Sequence, residues 1–392
     1  MKAPARMPGK ASGKASGKTQ GQTSAGTPAA RPELAEFRPY EVGPQDAAVK
    51  LDANESPFGL PTHVLEDLAP RLADFGFNRY PDPYGGDLRR ELARRLEVPE
   101  NWIVIGNGAD ELVFNLVLAY GGPGRKVVTF PPTFSTPELA SGLLQAELVE
   151  FPRAGEDFVV DAGPSLFQAI ERANVVFFCN PNNPTGTEAP IEFAEVLAEM
   201  CPGLVVVDEA YAEFSSVSHL SLLRKHPNLA VLRTFSKAYS LAGLRVGYLV
   251  GRPEVAQTVA KVKLPYNVGG MSQLIALLSL RHAETCRSRV EWIVAEREWL
   301  REELERTPGV STVYPSGANF LLFRTELPAL VVWRGLLDRG VAVRSFPGDP
   351  LAGECLRVTV GSSQENLAFL SSLRGALEGE EKKLEWDDER FD

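Results

Sequence analysis

The segment TFSKAYSLAGLRVGY (234–248) holds residue types that could carry out covalent chemistry. Lys237 follows two hydroxyl residues, Thr234 and Ser236, and Arg245 stands eight positions later. A lysine at a strand end among apolar groups gives up its proton readily and becomes an amine nucleophile. Hydroxyls and a guanidinium nearby suit a phosphate dianion. VVVDEAY (205–211) ends an apolar run on Asp208 and adds Tyr211 three residues on. NPNNPTG (180–186) follows another apolar run and supplies Asn183 in a sharp turn. GNGADEL (106–112) joins the run WIVI to an apolar helical pattern, which puts the amides of Ala109 and Asp110 at a helix start. Unpaired amides and the helix dipole make an anion site there. Each segment alone has an ordinary explanation: a solvated lysine, a capping aspartate, a turn-forming asparagine, a plain strand-to-helix turn. Together they fit different atoms of one cofactor, pyridoxal 5'-phosphate. Its aldehyde needs a lysine, its pyridinium nitrogen a carboxylate, and its phosphate a helix N-terminus plus an arginine.

These residues need a scaffold that brings strand ends together. Short apolar runs recur at WIVI (102–105), KVVTF (126–130), VVFFC (175–179), LVVVD (204–208), AVLRTF (230–235) and RVGYLV (245–250), with helical patterns such as IEFAEVLAEM (191–200) between several of them. Continuous rather than alternating apolar strands imply burial on both faces, hence an α/β fold with a largely parallel sheet between helices. From about residue 290 the rhythm changes. A charged helix (296–306), the strand NFLLF (319–323), a helix near 328–339 and the strands VAVR (341–344) and LRVTV (356–360) predict a smaller α+β domain. The expected division is a disordered basic extension (1–32), an N-terminal segment packing on the small domain (33–60), a large cofactor-binding domain (61–289), a small domain (290–379) and a charged tail (380–392). Residues 1–32 carry six basic side chains, no acid and no Leu, Ile or Val, too little apolar area to offset the entropy of ordering. They have no apolar stretch of the secretory kind, so a cytoplasmic location is expected.

Composition narrows the function further. The 392 residues carry a formal net charge of -10, which disfavours nucleic acid or anionic membrane as a partner. No run of about 18 apolar residues is present to span a bilayer. The four cysteines lie far apart, with neither zinc spacing nor a disulfide framework, and the four histidines have no ligand-like neighbours at helical spacing, so no metal is expected.

The chain resembles the fold-type I aminotransferases, and within them the histidinol-phosphate aminotransferases, from about residue 38 to 375. The resemblance rests on KLDANESPFG (50–59), RYPDP (79–83), GNGADELV (106–113), PPTFS (131–135), NPNNPTG, VVVDEAY, RTFSKAYSLAGLRVGY (233–248), KLPYNV (263–268) and LRVTVG (356–361). It implies a seven-stranded, mostly parallel sheet and a homodimer using a small-molecule amino donor and a 2-oxo acid. Lys237 would join the cofactor aldehyde and later shuttle the proton at the substrate α-carbon. Asp208 would pair with the ring nitrogen, Tyr211 and Asn183 with the phenolic oxygen, and Phe134 would stack on the ring. Thr234, Ser236, Arg245 and the amides of Ala109 and Asp110 would hold the phosphate, with Tyr80 reaching it from the neighbouring subunit. Arg357 would grip a carboxylate. Arg344, Arg357 and Tyr40 would receive the substrate phosphate, and Asn54 and Asn267 would line the pocket. Phe134 stands where tyrosine is common, and Gly269 and Gly270 stand where polar residues are usual. These departures keep open an aromatic amino-acid aminotransferase; a second alternative is an O-phospho-threonine decarboxylase, a lyase with nearly the same lysine, aspartate and phosphate groups on the same scaffold.

Overall fold

The computed structural model describes residues 28–37, 43, 46–155 and 157–388. Most of the basic extension, and Tyr40, lie outside them. The chain divides into two compact units, Met1–Tyr40 and Glu41–Asp392. In the first, Pro32–Glu36 forms one short 3-10 helix with a proline in its first turn.

Seven strands form the main sheet of the second unit: β1 (Ile103–Asn107), β2 (Lys126–Thr129), β3 (Glu147–Glu150), β4 (Val175–Cys179), β5 (Leu204–Asp208), β6 (Leu229–Thr234) and β7 (Val246–Gly251). Their order is β1-β7-β6-β5-β4-β2-β3, parallel throughout except that β7 runs antiparallel to β1 and β6. β4 and β5 are buried at every residue because both faces are covered. Val176, Phe178, Val205 and Val207 pack on one face with helices α1 (Gly86–Leu96) and α3 (Ile191–Met200). Val175, Phe177, Leu204 and Val206 pack on the other with α2 (Gly108–Tyr120) and α4 (Pro253–Val262). Alternate residues of one strand thus serve two cores, as a period of two requires.

A second sheet, antiparallel throughout, joins β8 (Val310–Val313), β9 (Phe320–Thr325), β10 (Arg344–Ser345) and β11 (Cys355–Thr359) in the order β8-β9-β11-β10. Its core includes Leu300 and Leu304 of α5 (Ala283–Glu305), Val332 and Leu336 of α6 (Ala329–Leu337), and Phe369 and Leu373 of α7 (Ser363–Asp388). Val49–Lys50 pairs in parallel with Val341–Ala342, and Leu51 joins the same core. Residue 290, the expected start of the small domain, falls inside α5, which reaches back to Ala283. The charged C-terminal stretch continues α7 as far as Asp388. None of the helices among the described residues is long and apolar enough to cross a membrane.

Candidate active site

Parallel strands end together, and their carboxyl ends are where ligands of open α/β sheets collect. Cys179 of β4, Asp208 of β5 and Leu232 of β6 lie side by side in register. Asp208 is therefore buried at a strand tip, accepting one backbone bond from Ala210 N–H at 3.0 Å. Burial raises its carboxyl from the ordinary 3.8 to about 7, and the nearby Asp110 and Glu209 carboxylates add to the rise.

Lys237 directly follows Ser236, three residues past the end of β6, where the chain turns back towards β7. Its Nζ donates to Ala53 O at 3.0 Å. Burial, reinforced by the Arg357 charge, lowers the amine to about 8. Thr234 Oγ1 donates to Ser236 Oγ at 3.0 Å and accepts from Ser236 N–H at 3.1 Å, which fixes both hydroxyls next to the lysine.

The anion cradle forms where β7 meets the start of α2. A Cβ at Gly247 would stand 2.5 Å from Ala109 N, so only glycine lets the strand approach the helix terminus. Gly108, at φ +77°, opens α2, and a Cβ there would meet the Arg245 guanidinium. Arg245 Nη2 donates to Asp110 Oδ2 at 2.7 Å, and Thr136 Oγ1 donates to Asp110 Oδ1 at 3.2 Å. The amides of Ala109 and Asp110, in the first turn, have no carbonyl within the helix to meet.

The second sheet supplies the opposite wall. Asn54 has φ +53°, a left-handed conformation that asparagine tolerates better than most residues. Its Nδ2 donates to Tyr211 OH at 2.9 Å and its N–H to Thr359 Oγ1 at 2.9 Å, while its carbonyl accepts from Asn319 Nδ2 at 3.1 Å. Tyr211 is buried edge-on against Phe320, and burial pushes its hydroxyl above its ordinary value. Arg357 Nη1 donates to Asn183 Oδ1, and its Nη2 to Asp52 O at 2.6 Å. Arg344 is the direct cross-strand partner of Arg357. Opposed residues of an antiparallel pair share one face, with Cβ atoms about 5 Å apart, and two like charges so placed favour an anion between them.

Lys237, Asp208, Tyr211, Asn183, Asn54, Thr234, Ser236, Ala109, Asp110, Arg245 and Arg357 thus belong to one continuous set of contacts or neighbouring strand ends. Phe134 stands half-buried in the loop between β2 and the helix Thr136–Leu143. Two further residues make their contacts outside that set. Asn267 spends its amide on Glu111 Oε2 (2.7 Å) and Ile105 O (3.4 Å), and accepts from Lys263 Nζ at 2.6 Å, bracing the start of α2. Tyr80 is 82% exposed and stacks on Tyr266 with ring centroids 4.5 Å apart.

A buried group behind Asp208 gave no signal in the sequence. Glu209 accepts from Arg233 Nε and Nη2 at 2.9 and 2.6 Å and from His219 Nδ1 at 2.9 Å. Burial raises its carboxyl, but His219 and Arg233 outweigh that and hold it below the ordinary value. Arg233 is thereby committed to Glu209, and Asp208 has no cation partner among the described residues. Glu209→Ala would leave the Arg233 guanidinium with only Ser218 Oγ at 3.0 Å and the longer Glu213 contact at 3.9 Å, so we expect the holoenzyme to lose about 3 kcal/mol in urea denaturation. A loss below about 1 kcal/mol would mean the pair is not holding β5 to β6. At the surface, Glu195, Glu199 and His226 bring ligand-type atoms within 4.8 Å of one another, but Lys225 Nζ already pairs with both glutamates.

The family model for aminotransferase class I and II matches residues 46–373. The chain belongs to that family. Among its relatives, histidinol-phosphate aminotransferase 1 of Carboxydothermus hydrogenoformans is 42% identical over 86% of this chain and 96% of its own. Histidinol-phosphate aminotransferase 2 of Nitrosococcus oceani is 39% identical over 88% of this chain and 96% of its own. The crystal structure of a histidinol-phosphate aminotransferase from Sinorhizobium meliloti in complex with pyridoxal-5'-phosphate superposes with a TM-score of 0.79 at 27% identity, covering 89% of this chain and 97% of that one. The fold is that of the fold-type I aminotransferases, as the sequence motifs implied.

Proposed function

We propose that this aminotransferase uses pyridoxal 5'-phosphate to move the amino group of L-histidinol phosphate to 2-oxoglutarate, giving imidazole acetol phosphate and L-glutamate in histidine biosynthesis. The residues fit the cofactor. Asp208 is a buried carboxylate without a protein cation, matching a protonated ring nitrogen, and Lys237 is an amine already eased towards its neutral form. When bound, the cofactor supplies an electron-accepting ring for the pair left when the substrate loses its α-proton. Asp208 would hold the ring nitrogen protonated, and Lys237 would take the substrate α-proton. Tyr211 and Asn183 would bond the phenolic oxygen and Phe134 would pack on the ring. Thr234, Ser236, Arg245 and the α2 amides of Ala109 and Asp110 hold the cofactor phosphate.

The observation that carries the substrate assignment is the Arg344–Arg357 pair, two cations on one sheet face beside Asn183. One guanidinium suits the carboxylate of glutamate, and the second adds a grip for a phosphate. The family resemblance would add Tyr40, which lies outside the described residues, to the same phosphate grip, and would have Asn54 and Asn267 line the pocket. Arg344→Ala is expected to raise the KM for histidinol phosphate about 10- to 100-fold and to change that for glutamate little. Equal losses for both would remove the phosphate role. Assayed side by side, histidinol phosphate should turn over faster than phenylalanine, and threonine phosphate should not lose carbon dioxide. The reverse order would favour an aromatic aminotransferase or a decarboxylase.

The assembly is proposed as a homodimer. Phe77 and Tyr80, 73% and 82% exposed, line one surface cleft, and Tyr80 stacks on the exposed Tyr266; apolar rings so exposed call for a cover. A second copy there would bring Tyr80 to the cofactor phosphate of its neighbour. The proposed location is the cytoplasm. The proposed division into a large domain (61–289) and a small one (290–379) is supported by the two separate sheets and cores, and the packing of the N-terminal segment (33–60) on the small domain by its residues Val49, Lys50 and Leu51.

A further inference from the structure

A second cleft, of about 630 Å³, lies apart from the Lys237 cluster. Its walls are the hairpin of Arg153–Ala154 and Val159–Val160, the loop Gly186–Pro190, the end of α5 and the segment Val313–Gly317. That volume is in the range of small-molecule sites. Three observations mark it as more than a gap between lobes.

Arg153 lines the cleft yet is only 2% exposed. Its Nε donates to Phe130 O at 3.2 Å, its Nη2 donates to Cys179 O at 3.1 Å, and the Phe178 ring lies 5.7 Å away. Nη1 has no acceptor among the described residues, and no carboxylate pairs with this guanidinium, an unusual state for a buried charge. Burial accordingly lowers it to about 10. Across the cleft, Glu298 and Glu305 are both occupied by Arg301, at 3.1 and 2.5 Å. Glu188 has a hydroxyl partner, Ser215, and no cation among the described residues. Phe158 is buried at φ +50°, in the left-handed region that a bulky residue rarely adopts. It is held edge-on to Tyr314 at 5.1 Å, and such strain gathers at functional sites.

Arg153, with no carboxylate partner among the described residues, shares the cleft with the carboxylates of Glu188 and the exposed Asp157 and with aromatic walls, a set that complements a zwitterion with a ring. We propose that this cleft binds a free α-amino acid with a ring side chain, its carboxylate on Arg153 Nη1, its ammonium on Glu188 and its ring between Phe193 and Tyr314. Such a ligand would touch both lobes, because Gly317 N–H donates to Gly186 O at 2.8 Å, which ties the NPNNPTG loop carrying Asn183 to the second sheet. The site stands independently of the reaction at Lys237.

The test is calorimetric titration of the holoenzyme after borohydride has fixed the cofactor to its lysine, so that amino acids cannot react with it. Fluorescence of the fixed cofactor reports its loading separately. L-Histidine and L-phenylalanine should each bind saturably, and 3-phenylpropionate, which lacks the ammonium, at least about tenfold more weakly. Val160→Trp fills the cleft and should weaken amino-acid binding at least about tenfold while leaving turnover of the unreduced enzyme unchanged. Arg153→Met should weaken it similarly; should that variant fail to fold, Val160→Trp alone decides. No saturable binding to the fixed wild type, or binding unchanged by Val160→Trp, would overturn the proposal.

Discussion

Lys237→Ala should lower turnover by more than about 10⁴-fold, since the substitution removes both the covalent anchor and the base at the α-carbon. The fold should survive. The side chain is half-buried and makes one hydrogen bond, to Ala53 O, so little packing or pairing is lost. Single-turnover spectroscopy with histidinol phosphate, beside circular dichroism of the same sample, separates lost chemistry from lost structure. A variant that still transaminates at a tenth of the wild-type rate would disprove the assignment of Lys237.

Asp208→Asn should keep the cofactor but lose about 10²- to 10³-fold in turnover, because a neutral amide cannot hold a proton on the ring nitrogen. The same variant has a second readout that needs no activity. In the cofactor-free chain the folded carboxyl titrates near 7, above its ordinary 3.8. A raised acid favours the folded state while protonated. Its contribution is complete below about pH 3.8 and is lost as pH rises towards 7. Asparagine cannot titrate, so relative to wild type the apo variant should gain thermal stability steadily from pH 4 to 7 and level off above it. The cofactor, as a cation beside Asp208, should remove that difference in the holoenzymes. A flat apo difference across this window would show that Asp208 is not held high by burial.

Local pattern carried much of this architecture. VVFFC and LVVVD became β4 and β5 residue for residue, and IEFAEVLAEM became α3, because unbroken apolar runs and helical spacing are properties of a few neighbouring side chains. The anion cradle was legible for the same reason: a glycine turn followed by an apolar helix announces itself within seven residues. The reversed direction of β7 was not, since RVGYLV reads alike in either orientation. Nor was the hold of Asn54 on Thr359, 305 residues away, or the Glu209–Arg233–His219 group. Such contacts depend on how separate elements are brought together, and buried polar pairing leaves no periodic trace. The bonds of Asn267 to Glu111 and Lys263, which brace α2, had no local signature either.

β10 is two residues long, and only its alignment with β11 sets Arg344 beside Arg357. Successive side chains of a strand face opposite ways, so adding or deleting one residue in the turn 346–354 would turn Ser345 inward and send the guanidinium to the far side. If Arg344 grips the donor phosphate as proposed, choice of amino donor would turn on odd or even loop length, and a single codon insertion would alter it while leaving every reacting group untouched.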